Sequence, residues 1–376
     1  MRIDKNTTIR LGDRNIVKVK LGDVVIWQKT TEPVEGPDYF YIESLGDGNT
    51  ISVKNKGNGN TTNVTPTLEY SKDKNTWNTI TFDWTSGTHT TELPVKLNTG
   101  EKMYFRNDTR KFSNDYNKYI TFSSTVSSNV GGDIRTLSNY LDVNSETTTE
   151  RYMFKDLFNS NKNIVDASNL RLPYTTLASH CYMAMFYGCT SLTTAPTLPV
   201  TTLANNCYSG MFRGCTSLTT APTLPVTTLA NNCYSGMFWG CTKLTNVPTE
   251  LPATTLANNC YDSMFRGCTS LTTAPTLPAT TLVDYCYSQM FNGCSKLTSA
   301  PALPATTLAN NCYESMFQGC TSLNSITVYA DDISATNCTA YWLSRVASTG
   351  TFRNLGSATY SRDESGIPRG WTEVKK

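Results

Sequence analysis

The chain has 376 residues, so more than one domain is expected, and 16% of them are charged with a formal net charge of +2. A charge balance so close to neutral gives no general attraction to nucleic acid or to an anionic membrane surface. No run of about 18 apolar residues occurs, so no membrane insertion is expected.

The first thirty residues contain a small duplication, TIRLGDRNIVKV followed by KVKLGDVVIWQ. Alternating apolar residues around LGD turns predict two or three short β-strands. A unit this small needs a surface to dock on. We therefore interpret residues 1–30 as an attachment segment and residues 31–37, TEPVEGP, as a linker. This stretch lacks the apolar core of a signal peptide, and we expect no export signal in it.

Residues 38–127 are rich in short β-type segments, which Gly, Asn and Asp interrupt at intervals of roughly ten residues. This pattern predicts an antiparallel β-sandwich of six or seven strands. We expect Trp77, Trp84, Tyr104 and Phe105 to fill its core, with an exposed aromatic platform for a glycan as the alternative. Residues 128–172 are predicted to be a lead-in that ends in a cap repeat without cysteines.

Residues 173–329 repeat one sequence, whose clearest copy is LPVTTLANNCYSGMFRGCTSLTTAPT at Leu198–Thr223. The period is 26 residues, with one step of 27 where Glu250 is inserted. Such a period predicts stacked coils, because one copy cannot bury its own apolar residues and a four-stranded propeller blade needs about 40. The prediction is an all-β N-terminal part followed by an α/β leucine-rich-repeat solenoid. In each copy we expect a short helix around CYSGMF and a short strand through SLTTA.

The pattern decays at the C-terminal end, where residues 330–376 are predicted to form the cap. Cys338 keeps the 26-residue spacing, but Val346 stands where the second cysteine would be. An Asn pair precedes most of the CY motifs, and we expect it to cap the short helix or to form a hydrogen-bonded ladder.

Two columns of cysteines run through the repeats at C-x7-C spacing. We interpret them as buried structural side chains, with disulfides between columns or coils as the alternative. C-x7-C is not a zinc spacing and the chain has only two histidines, so no metal and no cofactor is expected. The columns contain Cys181, Cys189, Cys207, Cys215, Cys233, Cys241, Cys260, Cys268, Cys286, Cys294, Cys312 and Cys320.

One position in each copy, the x of MF-x-GC, varies among rings, guanidinium groups and amides. Such variation beside repeated core residues is typical of an exposed stripe, and aromatic and Arg residues are frequent anchors of binding surfaces. The alternative is a solvated face that tolerates drift. The predicted ligand-binding stripe contains Tyr187, Arg213, Trp239, Arg266, Asn292 and Gln318.

The recurring MF-x-GC-x-x-L, with CY four residues upstream, resembles the BspA-like leucine-rich repeats of surface proteins of gut and oral anaerobic bacteria and of their phages. The N-terminal duplication also resembles attachment segments of phage tail and fibre proteins. The first resemblance implies a non-enzymatic binding or adhesion role. In agreement with it, the sequence has no G-x-S-x-G, Walker, GxGxxG or HExxH motif.

We therefore predict a phage virion fibre, of the tail or the head, that recognises a bacterial surface glycan or protein. Residues 1–30 would bind other virion proteins, and a homo-oligomer, such as a trimer, is an option. A bacterial cell-surface adhesin, a purely structural decoration protein and a polysaccharide-cleaving tail spike are the alternatives.

Overall fold

The computed structural model describes residues 37–59, 67–108, 112, 117–141, 143 and 147–376, together with the backbone of four strands near the N-terminus. Residues 1–38 and 39–376 form two compact units. In the first unit, β1 (Ile9–Leu11) pairs antiparallel with β2 (Arg14–Ile16), and β3 (Lys18–Leu21) pairs antiparallel with β4 (Val24–Gln28). The predicted β-structure is thus present, with four strands where two or three were expected. The predicted linker lies largely outside the described residues.

The second unit begins with two β-sheets. Their strands are β5 (Phe40–Ser44), β6 (Ile51–Gly57), β7 (Thr67–Ser71), β8 (Asn78–Thr81), β9 (Gly87–Glu92), β10 (Lys102–Arg106), β11 (Tyr119–Ser124), β12 (Ser128–Asp133) and β13 (Ile164–Arg171). The six-stranded sheet has the order β13-β12-β5-β10-β7-β8, and the three-stranded sheet has the order β11-β6-β9. All pairings are antiparallel except β12 with β13. The larger sheet therefore extends into the segment predicted as a lead-in.

Alternating apolar residues of the two sheets meet in one core, as the period of two requires. The Phe122 ring lies 4.8 Å from that of Phe105 and 5.4 Å from that of Phe40. Trp84 is buried as predicted, but the prediction for Trp77 and Tyr104 is wrong. Both rings are half-buried on the outer face of the sheet, where they lie beside the cationic side chains of Arg106 and Lys74, respectively.

The repeats stack coil upon coil, and their backbone N–H groups alternate between two kinds of acceptor. Around Phe212, Met211 donates to the Tyr208 carbonyl three residues back (3.1 Å). The next residue, Phe212, donates instead to the Met237 carbonyl of the following coil (2.9 Å). Half of these N–H groups thus close turns within a coil, and the other half join neighbouring coils.

The prediction of a short helix around CYSGMF is wrong. Every fourth residue there has a positive φ, for example Asn206 (58°), Gly210 (61°) and Gly214 (75°). A left-handed residue every four positions ends any α-helix, so the segment becomes a series of short turns. In the described part of the chain, the single α-helix is α1 (Thr136–Asn139), outside the repeats.

The predicted strand through SLTTA is also reduced, to isolated parallel bridges such as Thr220 with Asn246. A proline follows each such segment and donates no backbone hydrogen bond, which limits the ladder. The insertion at Glu250 is absorbed in an exposed loop that still bridges to Thr276 of the next coil.

Equivalent aromatic residues form two columns through the stack. From Tyr182 to Tyr313, successive tyrosine rings are stacked with centroids 5.6–6.2 Å apart. From Phe186 to Phe317, the phenylalanine rings are stacked at 5.6–5.7 Å. Tyrosine, methionine, phenylalanine and cysteine side chains of consecutive coils therefore make one continuous core.

Both ends of the stack are closed by other structure. At the first end, Phe158 of the cap repeat lies 6.0 Å from Phe40 and 6.2 Å from Phe122, so the sandwich core continues into the phenylalanine column. At the second end, β14 (Ser325–Val328), β15 (Gly350–Asn354) and β16 (Trp371–Lys375) form a parallel sheet. Fully buried Trp342 continues the tyrosine column there, with its ring stacked between those of Tyr313 and Tyr360, and its indole N–H donates to the Gly366 carbonyl (2.9 Å).

Candidate functional site

Four residues of the predicted stripe form a ladder along the stack. The Arg213 guanidinium carbon lies 5.7 Å from the ring centroid of Tyr187 and 3.5 Å from that of Trp239. On the coil that follows Trp239, the Arg266 guanidinium carbon lies 4.5 Å from the centroid of the same Trp239 ring. Rings and guanidinium groups thus alternate over four coils and hold one another by cation–π contacts.

The arginines on both sides of Trp239 change how this ring can act. They come from the preceding and the following coil, so both faces of the indole are covered. A sugar ring therefore cannot stack on it without displacing a guanidinium group. The edge of the indole is what remains open at the groove, which Trp239 lines.

The last two residues of the predicted stripe are separate from the ladder. Asn292 Nδ2 donates to Gln318 Oε1 (3.0 Å), so these side chains bind each other. Arg266 also donates to Gln289 of the following coil. The C-terminal half of this face is therefore closed by hydrogen bonds between its own side chains.

The N-terminal half of the same face contains a groove of about 280 Å³ that spans five consecutive coils. Its floor includes Ser209, Gly210, Ser235 and Gly236, and the rings and guanidinium of the ladder form one side. Lys155, Asp156 and Asn159 of the cap repeat line one part of it, and Asp262 with Ser263 line another.

Small residues at one repeat position keep the groove open. The second residue after CY has a positive φ in every coil, and it is Ala184, Gly210 and Gly236 in the first three. A Cβ atom at Gly236 would meet nothing nearer than a Trp239 ring carbon at 3.8 Å. In later coils, larger side chains such as Gln289 stand at this position. The groove thus exists because glycine is used where the space is needed.

The cap repeat supplies a buried ion pair to the groove. Lys155 and Asp156 form a salt bridge with their side chains 7% and 8% exposed. Asn159 Nδ2 donates to Asp156 Oδ1 (2.6 Å), and the Lys155 ammonium lies 4.4 Å from the Tyr119 ring centroid. This part of the groove is therefore rigid and close to neutral.

Asp262 is the second carboxylate of the groove. Ser235 Oγ donates to Asp262 Oδ2 over 3.4 Å. Burial raises the pKa of Asp262, and hydrogen bonds from serines and the charge of Arg266 oppose this shift. Asp262 therefore accepts a hydrogen bond or a proton more readily than an exposed aspartate does.

Three hydrogen-bond donors of the ladder have no acceptor within the described part of the protein. Among the described residues, none accepts a hydrogen bond from the Arg213 guanidinium, the Trp239 indole N–H or the Tyr187 hydroxyl. Arg213 is held in place by ring contacts alone, which leaves its N–H groups available to a ligand.

The predicted cysteine columns lie in the core, away from the groove. All thirteen cysteines are buried as free thiols. In the second column, each thiol donates to a phenylalanine carbonyl of an earlier coil, as Cys215 does to Phe186 (3.1 Å). Burial raises the pKa of the Cys241 thiol to about 12, so it stays protonated and unreactive at neutral pH. This geometry supports the structural interpretation of the columns.

The asparagine pairs have a role other than helix capping. The second Asn of each pair, such as Asn206, has a positive φ, which asparagine tolerates better than most residues. The first Asn forms the predicted ladder: the Asn231 backbone N–H donates to Asn205 Oδ1 (3.2 Å), and the Asn258 N–H donates to Asn231 Oδ1 (3.1 Å).

The part that the cap repeat plays in the groove was not predicted from the sequence. Lys155 and Asp156 occupy the variable positions after CY, and Asn159 occupies the x position, of a copy that has lost its cysteines. The spacing from this copy to the next is 28 residues instead of 26, so that MFKDLFNS at 153–160 aligns with CYMAMFYG at 181–188. The shared pattern of apolar residues would have placed all three on the same face.

Among the described residues, no group of three or more His, Cys, Asp or Glu side chains is arranged to hold a metal ion. In the same part of the chain, no helix combines the length and the apolar character that crossing a membrane requires.

The repeat pattern matches a known family of repeats. The family described as BspA type leucine rich repeat region matches residues 147–274 and 258–363, in six copies. A crystal structure of a leucine-rich repeat protein from Bacteroides ovatus ATCC 8483 aligns with 61% of this chain and 78% of that chain, at 12% identity and a TM-score of 0.24. No curated protein sequence matches the chain. Because the family match covers more than half of the 376 residues, the chain belongs to the BspA-type leucine-rich repeat family.

Proposed function

We propose that this protein is a non-enzymatic recognition protein: a leucine-rich-repeat solenoid whose groove binds a glycan or protein on a bacterial surface. The observation that carries the proposal is the groove beside Arg213 and Trp239, where donors held by ring contacts remain unused. Uncommitted Arg and Trp donors in a preformed groove are typical of a binding site. Membership of a family of surface adhesion proteins supports the same role.

The setting we propose is a phage virion, as a tail or head fibre. In this proposal residues 1–30 attach the protein to other virion proteins, and the fibre is a homo-oligomer such as a trimer. The separate compact unit at residues 1–38, with its two antiparallel strand pairs, supports an attachment role. A bacterial cell-surface adhesin is the alternative, and the family match is equally compatible with it. Immunogold labelling of purified phage particles and of bacterial cells distinguishes the two settings.

The recognition role is tested by binding of fluorescent purified protein to intact gut bacteria. Gly236→Gln places in the groove the side chain that the equivalent position carries at Gln289, and Trp239→Ala removes the centre of the ladder. Both variants are expected to lower binding about tenfold or more, since central interface residues dominate affinity.

Gln318→Ala is the matched control, because it alters the same repeat position outside the groove. It should bind like the unaltered protein, and thermal unfolding must show that all three variants fold. Equal binding by folded Gly236→Gln would mean that recognition occurs elsewhere. If the unaltered protein binds no cell, the recognition role itself is wrong.

A further inference from the structure

We propose that the groove selects an acidic polysaccharide and that Arg213 binds its carboxylate groups; this inference rests on the recognition role proposed above. Arg213 lies 3.5 Å from the Trp239 ring centroid and 5.7 Å from that of Tyr187, so its planar guanidinium is fixed by ring contacts. A fixed guanidinium can bind a carboxylate through two parallel N–H···O bonds.

The contrast with Arg266 identifies Arg213 as the ligand-binding arginine. Both arginines lie against Trp239, but Arg266 donates to Gln289 of its own protein. Among the described residues, Arg213 has no such acceptor, and it lines the groove whereas Arg266 does not. One cation of the ladder is therefore used internally and the other faces the groove.

The remaining groove chemistry suits the hydroxyl groups of a sugar chain. The Ser209 side chain, the Tyr187 hydroxyl and the Trp239 N–H provide donors at the groove, and the Ser235 hydroxyl, which donates to Asp262, can accept. The Asp262 carboxylate is an acceptor for hydroxyl groups. A ligand that combines many hydroxyls with spaced carboxylates uses both kinds of group.

An acidic peptide fits the groove less well. A peptide that adds as a strand needs free backbone N–H and C=O groups. Here the Gly210 N–H donates to the Ser235 carbonyl and the Gly236 N–H donates to the Asp262 carbonyl, both over 2.8 Å. The Ser209 carbonyl likewise accepts from Ala184 of the preceding coil (2.9 Å). The backbone along the floor is thus already occupied.

The test is calorimetric titration of the full chain with oligogalacturonate and with the same oligosaccharide after reduction of its carboxyl groups. We expect oligogalacturonate to bind, and the reduced form to bind about tenfold more weakly or worse. Arg213→Gln should weaken oligogalacturonate binding to the same degree. Lys243→Gln, which removes the same charge at an exposed position outside the groove, should leave it unchanged.

Four results would overturn the inference. Equal binding of the reduced oligosaccharide would show that carboxylates are not read, and unchanged affinity in folded Arg213→Gln would place the anion site elsewhere. Tighter binding of polyglutamate than of oligogalacturonate would assign the groove to acidic peptides. If the protein binds cells through the groove but not oligogalacturonate, the recognition role stands and the acidic-polysaccharide assignment fails.

Discussion

At the scale of single residues, the tyrosine column contains an unusual polar feature. The hydroxyls of Tyr182 and Tyr234 are buried and have no hydrogen-bond partner among the described residues. A buried polar group without a partner costs about 1–3 kcal/mol of stability. The ring of Tyr234 stacks between two others, with centroids 5.9 and 5.8 Å away. These ring contacts stabilise the fold, whereas the hydroxyl contributes no hydrogen bond to it.

We predict that Tyr234→Phe raises the free energy of unfolding by about 1 kcal/mol, because it removes the unpaired hydroxyl and keeps the stacked ring. Urea denaturation followed by circular dichroism measures the change. Tyr285→Phe, at a ring that is 40% exposed, is the control and should be neutral. A destabilised Tyr234→Phe would show that this hydroxyl has a partner in solution.

Asp262 links the groove to pH. The pKa of Asp262 in the folded protein lies above the ordinary value of 3.8. At a pH between these two pKa values, Asp262 is therefore protonated in the folded protein and ionised in the unfolded chain. Its contribution to stability is therefore greatest below 3.8 and declines as pH rises through the folded-state pKa.

We predict that Asp262→Asn unfolds at a higher temperature than the unaltered protein at neutral pH, and that this difference shrinks in acid below the ordinary aspartate pKa. The amide avoids the cost of burying a charge. Thermal unfolding of both proteins across this pH range measures the effect. Glu314→Gln, at the same repeat position but outside the groove, should show no such pH-dependent gain. A gain that does not depend on pH would exclude the ionisation of Asp262 as its cause.

At the scale of elements, the unit of this fold is a coil of 26 residues that needs its neighbours. Tyr208 and Phe212 each donate a backbone hydrogen bond to the following coil, and their rings stack on equivalent rings. Since each coil repeats these contacts, removing a whole period leaves the remaining contacts in register.

We predict that deleting residues 287–312 gives a folded protein that still binds its ligand, because this period lies outside the groove. Deleting residues 208–233, also 26 residues long, should fold as well but lose binding, since it removes Arg213 and part of the floor. Circular dichroism and the cell-binding assay measure both outcomes. Folding of a deletion of only thirteen residues would contradict the importance of register.

The repeat conformation shows where the sequence is ambiguous. The buried residues of one copy follow each other at alternating steps of one and three residues, which fits one face of a helix. They are Cys207, Tyr208, Met211, Phe212 and Cys215. A chain of four-residue turns buries the same positions. What distinguishes the two is the recurrence of Asn, Gly and Gly at every fourth position, where φ is positive. That signal is local backbone chemistry, which an apolar pattern does not reveal.

The candidate site was predictable only in part. The variable x position predicts that Tyr187, Arg213 and Trp239 share one face, because exposed positions drift while core positions repeat, and these three side chains line the same groove. The division of the stripe into a ladder and a closed half depends on contacts between coils, such as that of Arg266 with Gln289. Such contacts join residues 23 positions apart and need the three-dimensional register.

At the scale of the second compact unit, residues 39–376, the sandwich and the stack share one core. Backbone hydrogen bonds also join the two parts. The Phe122 N–H donates to the Leu157 carbonyl (2.8 Å), and the Ser128 N–H donates to the Asn163 carbonyl (2.8 Å). The sandwich thus acts as the N-terminal cap of the repeats. A stack of identical coils would otherwise expose its last rings to water.

The alternation of hydrogen bonds described above also has a mechanical consequence. The bonds between coils point along the stack, so tension applied to its two ends pulls on them directly, and a coil is expected to peel away before its turns break. Each coil of 26 residues would release about 90 Å of extended chain. A stack built in this way is expected to lengthen in equal steps under load, so that force rises gradually along it.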